Sequence, residues 1–309
     1  VPRKAGWDTH GLPVELEVEK ALGLDGKDQI EKYGVEPFIK KCKESVWKYK
    51  GMWEDFSNTV GFWADMDDPY VTYHNTFIES EWWALKKIWD KGLLYKGFKI
   101  VPYCPRCGTP LSAQEVAQGY KDVKERSAIV RFKVKDEDAY ILAWTTTPWT
   151  LPGNTGITIS PEFKYSLVDV QGEKLIMASE LVDKVMEVAK IDDYSVIKEY
   201  EGNELEGVIC KHPFIERESR VVLGSDDTIL VELDTGTGAV HTAPGYGKED
   251  YLCGLKNKLD MVVTVDSKGH QTEEAGPFAG MYYAKSDKEI IKWLDEHNFL
   301  LAKQEITHS

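Results

Sequence analysis

The spacing of apolar residues divides the chain into a helical first part and a strand-rich second part. Between residues 28 and 98, apolar side chains recur every three or four positions, which is typical of helices that bury one face. One helix is predicted to begin at residues 35–38, where Pro37 falls in the first turn. A second is predicted over residues 76–91, with Gly92 as its stop. The first hundred residues should therefore be mostly helical.

Two features of this helical part could suggest a binding site, one for nucleic-acid bases and one for a metal ion, but the residue spacing favours neither. The aromatic stripe Trp82, Trp83 and Trp89 is predicted to be core rather than a platform for stacking bases. Residues 61–70 contain an acidic cluster, but its spacing is not that of an EF-hand. We therefore expect a capped loop there.

From about residue 127 the pattern changes to short runs that alternate or are continuously apolar between turns, which indicates strands. The predicted strands are residues 128–134, 140–144, 156–159, 165–168, 174–177, 220–223 and 261–265. Helices are predicted at 180–190 and 286–297, and Ser286 with Glu289 predicts a capping box for the second. This combination indicates an α+β, barrel-like module of about 170 residues.

The stretch at residues 144–154 carries four threonines and two tryptophans around two prolines. It follows the apolar run 140–142, so a strand leading into a rigid loop is predicted. Such a loop can present small donors and acceptors to a ligand beside it. The alternative is a threonine-rich edge strand without a site.

A second dense stretch, residues 236–251, combines glycines with a histidine and an acid. Its spacing is neither the dinucleotide fingerprint, because His241 stands where the third glycine would be, nor a P-loop, because Gly247-Lys248 lacks its flanking residues. A phosphate cradle is therefore not expected. Asp250 lies at the head of a predicted helix, so it is either a ligand group or a helix cap, and His241 is either a site residue or a structural one.

Cys104 and Cys107 form a Cys-x-x-Cys turn that can supply two thiolates to one tetrahedral Zn²⁺. A structural zinc site needs four ligands, and the other three cysteines are isolated in the sequence. The cytidine deaminase signature is also incomplete, because Tyr103 rather than proline precedes Cys104.

Composition narrows the class of protein. The net charge of −14 argues against a protein that coats nucleic acid nonspecifically, although it does not exclude tRNA held by a local basic surface. Five cysteines suit a reducing compartment. No apolar run approaches the roughly 20 residues of a membrane helix, and no signal peptide is evident. A soluble, cytoplasmic, monomeric protein without a membrane partner is expected.

The threonine-rich stretch 144–154 resembles the editing-domain signature of isoleucyl-tRNA synthetases, a class I family. Valyl and leucyl relatives carry arginine at the position of Thr147 and an acidic residue at that of Trp149. Residues 236–244, followed by Asp250, resemble the second editing motif of the same family. Residues 6–15 resemble the segment after the first ATP-binding signature, where the acid, here Asp8, meets the amino group of isoleucine. The ATP-binding signatures themselves are absent from the sequence.

The resemblance implies a piece of a longer synthetase. Residues 1–98 would be a helical connective segment and a remnant of the Rossmann-type catalytic domain, and residues 99–126 half of a zinc ribbon. Residues 127–300 would be the editing domain, and residues 301–309 a return strand toward the other half of the ribbon. Zinc is then expected to be absent or weakly held at Cys104 and Cys107, and ATP and Mg²⁺ to serve only the full-length enzyme.

The resemblance also implies the chemistry. Valine and isoleucine differ by one methylene, which binding alone discriminates weakly, so a second site hydrolyses the ester of Val-tRNA(Ile) and valyl-adenylate. No cofactor is needed, and no Ser-His-Asp set is visible, so direct attack by water is favoured. The partners would be the 3′ end of tRNA(Ile), valine and isoleucine. The candidate catalytic residues are Asp250, as anchor of the α-ammonium, Thr146, Thr147 and His241. The candidate substrate-binding residues are Thr145, Trp149, Thr150, Asn154 and Gly238.

Two alternatives remain at this point. The module could come from a valyl or leucyl enzyme, which Thr147 and Trp149 disfavour. It could also be a zinc-ribbon binding module without catalysis.

Overall fold

A computed structural model describes residues 3–308 of the chain. The chain divides into two compact units, one up to Lys99 and the other from Ile100 onward. The finer division into four segments remains a prediction.

The first unit is mainly helical. Its elements are β1 (Lys4–Trp7), α1 (Leu12–Leu22), α2 (Lys27–Tyr33), α3 (Val35–Val46), a 3₁₀ turn (Trp47–Tyr49), α4 (Lys50–Thr59), β2 (Asp65–Val71) and α5 (Asn75–Asp90). Strands β1 and β2 pair in parallel. Val18, Ile30 and Phe38 form a small core between the first three helices. The two helices predicted from apolar spacing are present, and Gly92 has the positive φ of 69° that ends the second.

Two predictions in this unit are wrong. The acidic stretch is a strand, β2, in which Asp65 Oδ1 accepts the N–H groups of Asp67 and Asp68 at 3.0 and 3.4 Å. The tryptophans of α5 are between 61% and 67% exposed rather than core. Apolar spacing shows that a helix has an apolar face but does not show what covers it, and α5 buries no side chain within the described residues.

The second unit contains the remaining elements. In order they are β3 (Tyr103–Cys104), β4 (Thr109–Pro110), α6 (Ala113–Ala117), β5 (Val123–Val134), β6 (Tyr140–Thr145), a 3₁₀ helix (Pro148–Gly153), β7 (Gly156–Ile159), β8 (Lys164–Val170), β9 (Glu173–Ala178), a 3₁₀ turn (Ser179–Leu181), α7 (Val182–Ala189), β10 (Ser195–Glu201), a 3₁₀ turn (Gly202–Leu205), β11 (Ile209–Lys211), β12 (Glu218–Leu223), β13 (Ala239–Thr242), α8 (Lys248–Asn257), a 3₁₀ segment (Glu273–Phe278), α9 (Tyr283–Glu296) and β14 (Leu300–His308).

Within residues 3–308, six strands close into a barrel in the order β6, β13, β7, β12, β11 and β5, and β5 pairs again with β6. The pairs β6–β13 and β7–β12 are parallel, and the other pairs in the ring are antiparallel. Strands β9, β8 and β10 extend the sheet from β6, while β14 extends it from β5. The predicted α+β fold with a barrel-like module is therefore confirmed.

The barrel strands carry many buried apolar side chains. Phe132, Ile141, Leu142, Ile157 and Val221 are all buried in this core. Closure removes the sheet edges at the ring, which leaves the loops at its ends free to carry polar chemistry.

Two predictions in the second unit need correction. Residues 261–265 form no strand, and only Val265 makes an isolated bridge, to Gln271. The predicted second helix begins at Tyr283, so Ser286 is not a cap; it is fully buried inside α9 and donates to Tyr283 O at 2.7 Å. Residues 239–242, which sequence periodicity did not identify as a strand, form β13, whose place between β6 and β7 is set by pairing across the barrel.

No helix among the described residues combines the length and apolar character that a membrane span requires.

Gly238 precedes β13 in a conformation that only glycine adopts readily. Its φ is +73°, and a Cβ there would overlap the Cβ of Ala178 at the end of β9. Its carbonyl also accepts the hydroxyl of Tyr165 at 2.7 Å. These constraints bring the start of β13 close to the end of β9.

Replacing Gly238 by alanine should destabilise the second unit by about 2–4 kcal/mol, because backbone strain and overpacking add. Gly172→Ala is the matched control, since Gly172 also has a positive φ, +95°, but open space beside it. Urea unfolding should show a loss of about 1 kcal/mol for the control. Equal losses in the two variants would mean that the contact with Ala178 is unimportant.

Candidate active site

Barrel topology brings the two dense polar stretches together. Strand β13 lies between β6 and β7, with Val240 opposite Trp144 and Thr242 opposite Gly156. The segment that connects β6 to β7, residues 146–155, must therefore pass over the carboxyl end of β13. Residues of the threonine-rich turn thus meet His241 although about ninety positions separate them in sequence.

The threonine-rich turn is a 3₁₀ helix whose start is organised by its own side chains. Pro148 occupies the first position, where its missing N–H costs nothing. Thr145 Oγ1 accepts the N–H of Thr147 at 3.1 Å. The carbonyl of Thr147 accepts both the N–H and the hydroxyl of Thr150, at 2.9 and 2.8 Å.

A buried chain of hydrogen bonds joins the two stretches. Asn154 Nδ2 donates to Gly156 O and to His241 Nδ1, each at 2.8 Å. Because the Gly156 carbonyl can only accept, it fixes the orientation of the Asn154 amide. His241 Nδ1 is therefore the acceptor, and His241 Nε2–H donates to Thr150 Oγ1 at 2.9 Å. The Thr150 hydroxyl in turn donates a hydrogen bond to the Thr147 carbonyl.

His241 is held in the neutral form. It is 6% exposed, and burial lowers its pKa to about 3, with the neighbouring His212 acting in the same direction. Both ring nitrogens are engaged in the hydrogen-bond chain. The geometry therefore leaves His241 no free ring nitrogen with which to accept a proton.

The acid Asp250 lies in the first turn of α8, beyond the end of β13. Its Oδ1 accepts the N–H of Ala243 at 2.8 Å, and its other oxygen lies against Gly247, where a Cβ would overlap it. Burial raises the pKa of Asp250 to about 6, although the Ala243 N–H acts in the opposite direction. No Lys or Arg pairs with this carboxylate among residues 3–308. Asp250 is thus a half-buried carboxylate without a cation.

Other candidate residues occupy different positions in this site. Thr146 is half-buried, and its hydroxyl has no hydrogen-bond partner among the described residues. Thr147 Oγ1 lies 3.3 Å from Thr150 Oγ1. The Trp149 ring packs against Tyr246 and Tyr283, at centroid distances of 5.2 and 4.9 Å. Gly238 faces Ala178, as described above, and its assignment to substrate binding remains a prediction.

Four polar side chains that sequence reasoning missed hold the backbone of the turn. His212 Nε2 donates to Leu151 O at 2.8 Å, and Arg217 Nη1 donates to Pro152 O at 2.6 Å. Gln271 and Asp287 hold the peptide groups of Trp149. His212 and Arg217 lie between β11 and β12, whereas Gln271 lies in a later loop and Asp287 on α9. All four bind main-chain atoms, so no spacing in the sequence connects them with the turn. Burial raises the pKa of Asp287 to about 6.

Comparison with known proteins places the chain in a family. Residues 1–294 match the family model described as "tRNA synthetases class I (I, L, M and V)". The chain belongs to the class I tRNA synthetases. It is 52% identical to the isoleucine–tRNA ligase of Clostridium novyi and 53% identical to that of Clostridium kluyveri, in each case over the whole chain. It spans about 30% of the length of these curated relatives. The resemblance to isoleucyl-tRNA synthetases is confirmed.

Solved structures also show similarity to this synthetase chain. The editing domain of the P. knowlesi cytosolic leucyl-tRNA synthetase gives a TM-score of 0.44 at 11% identity, covering 62% of this chain and 99% of that one. The corresponding P. falciparum domain gives a TM-score of 0.44 at 11% identity, with coverage of 60% and 99%.

Zinc is implied for the synthetase by the resemblance, and Cys104 and Cys107 are its candidate ligands. They lie on the turn between β3 and β4, where the Cys107 N–H donates to Cys104 Sγ at 3.4 Å. This N–H is the largest influence that lowers the pKa of the Cys104 thiol. Among residues 3–308 no three His, Cys, Asp or Glu side chains are grouped as metal ligands. These two thiols alone do not fit a four-ligand zinc site, so no step is assigned to zinc.

Asp8 lies in the first unit, and its Oδ1 accepts the His10 N–H at 3.5 Å. Its contact with the amino group of isoleucine remains a prediction.

NMR should find His241 of this synthetase as the neutral tautomer protonated on Nε2, with no titration above about pH 4, since burial opposes the charged form. Long-range ¹H–¹⁵N correlation spectra measure this directly. Asn154→Asp should reverse the tautomer, because an ionised carboxylate can only accept and therefore favours an Nδ1–H that donates to it. An imidazolium in the native protein at pH 6 would contradict the hydrogen-bond chain.

Proposed function

We propose that this chain carries the hydrolytic editing site of an isoleucyl-tRNA synthetase, which cleaves the ester of Val-tRNA(Ile) and also valyl-adenylate. Asp250 is the observation that carries the proposal. A carboxylate buried without a cation is costly, and an incoming ammonium would relieve that cost by a charge-assisted hydrogen bond. The α-ammonium of an aminoacyl ester has the required charge.

Residues of the threonine-rich turn and of β13 would supply the rest of the reaction. We assign the Thr146 hydroxyl to a hydrogen bond with the ester or the attacking water, because it has no partner among the described residues. Thr150, Trp149 and His241 would bound the pocket that admits valine and excludes isoleucine. Neutral His241 adds no charge to that pocket, which suits an aliphatic side chain.

His241, a catalytic candidate from the sequence, is proposed to act by holding the shape of the site. Its two nitrogens hold Asn154 and Thr150, so it keeps the turn and β13 in register. Thr145 and Thr147 would likewise act mainly by fixing the backbone of the turn.

The activity named for the relatives, isoleucine–tRNA ligation, is proposed for the whole protein, together with its use of ATP, Mg²⁺ and tRNA(Ile). A cytoplasmic location and a monomeric state are part of the same proposal. The alternatives, a valyl or leucyl editing site or a binding module without catalysis, predict different substrates or no turnover.

Asp250→Asn should lower kcat/KM for hydrolysis of Val-tRNA(Ile) by well over tenfold, because an amide cannot neutralise the ammonium. Its oxygen can still accept the Ala243 N–H. Glu249→Gln is the matched control, since it removes a carboxylate from the same helical turn without touching Ala243. Deacylation of Val-tRNA(Ile), Ile-tRNA(Ile) and a mischarged leucyl substrate should be compared.

Stability separates this role from a helix cap. The folded pKa of Asp250, about 6, lies above the ordinary 3.8, so the native state loses stability as pH rises from about 4 to 6. Asp250→Asn avoids this loss, and its stability at pH 7 should equal or exceed that of the unsubstituted protein. A destabilised variant that hydrolyses normally would identify Asp250 as a cap and end the assignment.

The pH profile of hydrolysis should reflect the same carboxylate. Below about pH 6 Asp250 is protonated in the free protein, so kcat/KM should fall as the solution is acidified. The profile should be measured with Val-tRNA(Ile), and Asp250→Asn should lose this inflection. A profile that is flat between pH 5 and 7 would contradict an ionised Asp250 as the anchor.

A further inference from the structure

The peptide groups of Trp149 need partners that the turn cannot supply. A 3₁₀ helix would pair the Trp149 carbonyl with the N–H of the residue three positions later. That residue is Pro152, which has no N–H. The Trp149 N–H lies in the first turn, where helix donors lack partners within the helix. Both groups must therefore be satisfied from outside.

Side chains packed at the start of α9 provide both partners. Asp287 Oδ1 accepts the Trp149 N–H at 3.1 Å, and Gln271 Nε2 donates to the Trp149 carbonyl at 2.9 Å. Gln271 is only 2% exposed, and its amide also donates to the buried Ser286 hydroxyl at 3.2 Å. Ser286 in turn donates to Tyr283 O, which fixes it on α9. The peptide groups on both sides of Trp149 are thus held by side chains from outside the turn.

The choice of side chains matches these two roles. A carboxylate accepts only, as the Trp149 N–H requires, and an amide nitrogen donates, as the carbonyl requires. Gln271 Oε1 is buried without a hydrogen-bond partner among the described residues, so its donor atom is what the site uses. Leaving that oxygen unpaired is costly, which argues that filling space is not the role of this residue.

We propose that Asp287 and Gln271 are positioning residues that set the orientation of the Trp149 peptide and thereby the reactive geometry of the threonine-rich turn. The inference rests on the proposed editing function. Thr150 follows Trp149 directly, and its hydroxyl must remain 2.9 Å from His241 Nε2. Rotation of the Trp149 peptide would move Thr150 and tilt the Trp149 ring away from Tyr283. Displacements of about 1 Å in such sites cost up to about a hundredfold in rate.

The test compares matched variants in hydrolysis of Val-tRNA(Ile). Asp287→Leu and Gln271→Met remove the hydrogen bonds, and each should lower kcat about tenfold to a hundredfold with little change in KM. Asp287→Asn keeps an acceptor and should retain activity close to that of the unsubstituted protein. Gln271→Glu replaces the donor with an acceptor and should be at least as impaired as Gln271→Met.

The control for lost stability is Ser166→Ala. Ser166 is buried on β8 and bonds to the Ser179 hydroxyl at 2.8 Å, away from the turn. This variant should lower the thermal midpoint but leave kcat unchanged. If Asp287→Leu and Gln271→Met are merely less stable and keep normal kcat at a temperature where they are folded, the positioning role is overturned.

Hydrogen exchange separates this inference from the proposed function. Amides of residues 146–154 should exchange faster in Asp287→Leu and Gln271→Met than in Ser166→Ala. Unchanged exchange would overturn the positioning role whatever the activity. If the unsubstituted protein hydrolyses none of the aminoacyl-tRNAs, the proposed function fails, and faster exchange in the two variants would still show that Asp287 and Gln271 hold the turn.

Discussion

The hydrogen-bond chain from Asn154 through His241 to Thr150 is the constraint on which the site depends. It connects a loop to a strand that follows about ninety residues later, in a region where Asn154 is fully buried and His241 nearly so. Buried polar groups must pair, so the loss of one member would leave the others unpaired. The β6–β13–β7 order makes the chain possible, because it places the loop over the end of β13.

The same site contains groups whose burial opposes their charge. His241 and His212 are kept neutral, and the carboxyls of Asp250 and Asp287 have raised pKa values. The two histidines make the fold less stable as pH falls below about 6.5, since they bind protons in the unfolded chain but stay neutral in the native state. The two acids act in the opposite direction between about pH 4 and 6. If Asp250 binds a cation, as proposed, that interaction would offset the cost of burying its carboxylate.

The threonine-rich turn is short, contains two prolines, and has few hydrogen bonds of its own. Its shape is imposed by side chains from β-strand loops and α9, which reach its carbonyl and N–H groups. A loop held in this way can keep a precise shape, because the Trp149 N–H and the carbonyls of Trp149, Leu151 and Pro152 are each held by a buried or half-buried side chain. The positions of His212, Arg217, Gln271 and Asp287 are therefore as much part of the site as the threonines.

Local sequence patterns determined much of this protein. Apolar periodicity predicted the long helices and six strands of the second unit, since those signals arise from neighbours along the chain. Residue types in the two dense stretches, including His241, Asp250 and the threonines, indicated where chemistry would lie. Their likeness to isoleucyl-tRNA synthetase motifs gave the family.

Tertiary structure alone decided the remaining features. Strand β13 lies in a glycine-rich stretch, and its place between β6 and β7 depends on pairing across the barrel. The exposure of the α5 tryptophans, the buried position of Ser286 and the tethers from Gln271 and Asp287 depend on which surfaces meet. Local propensity does not show which surfaces pack together. A hydrogen bond from a side chain to the backbone of a distant element also produces no recognisable spacing of residues in the sequence.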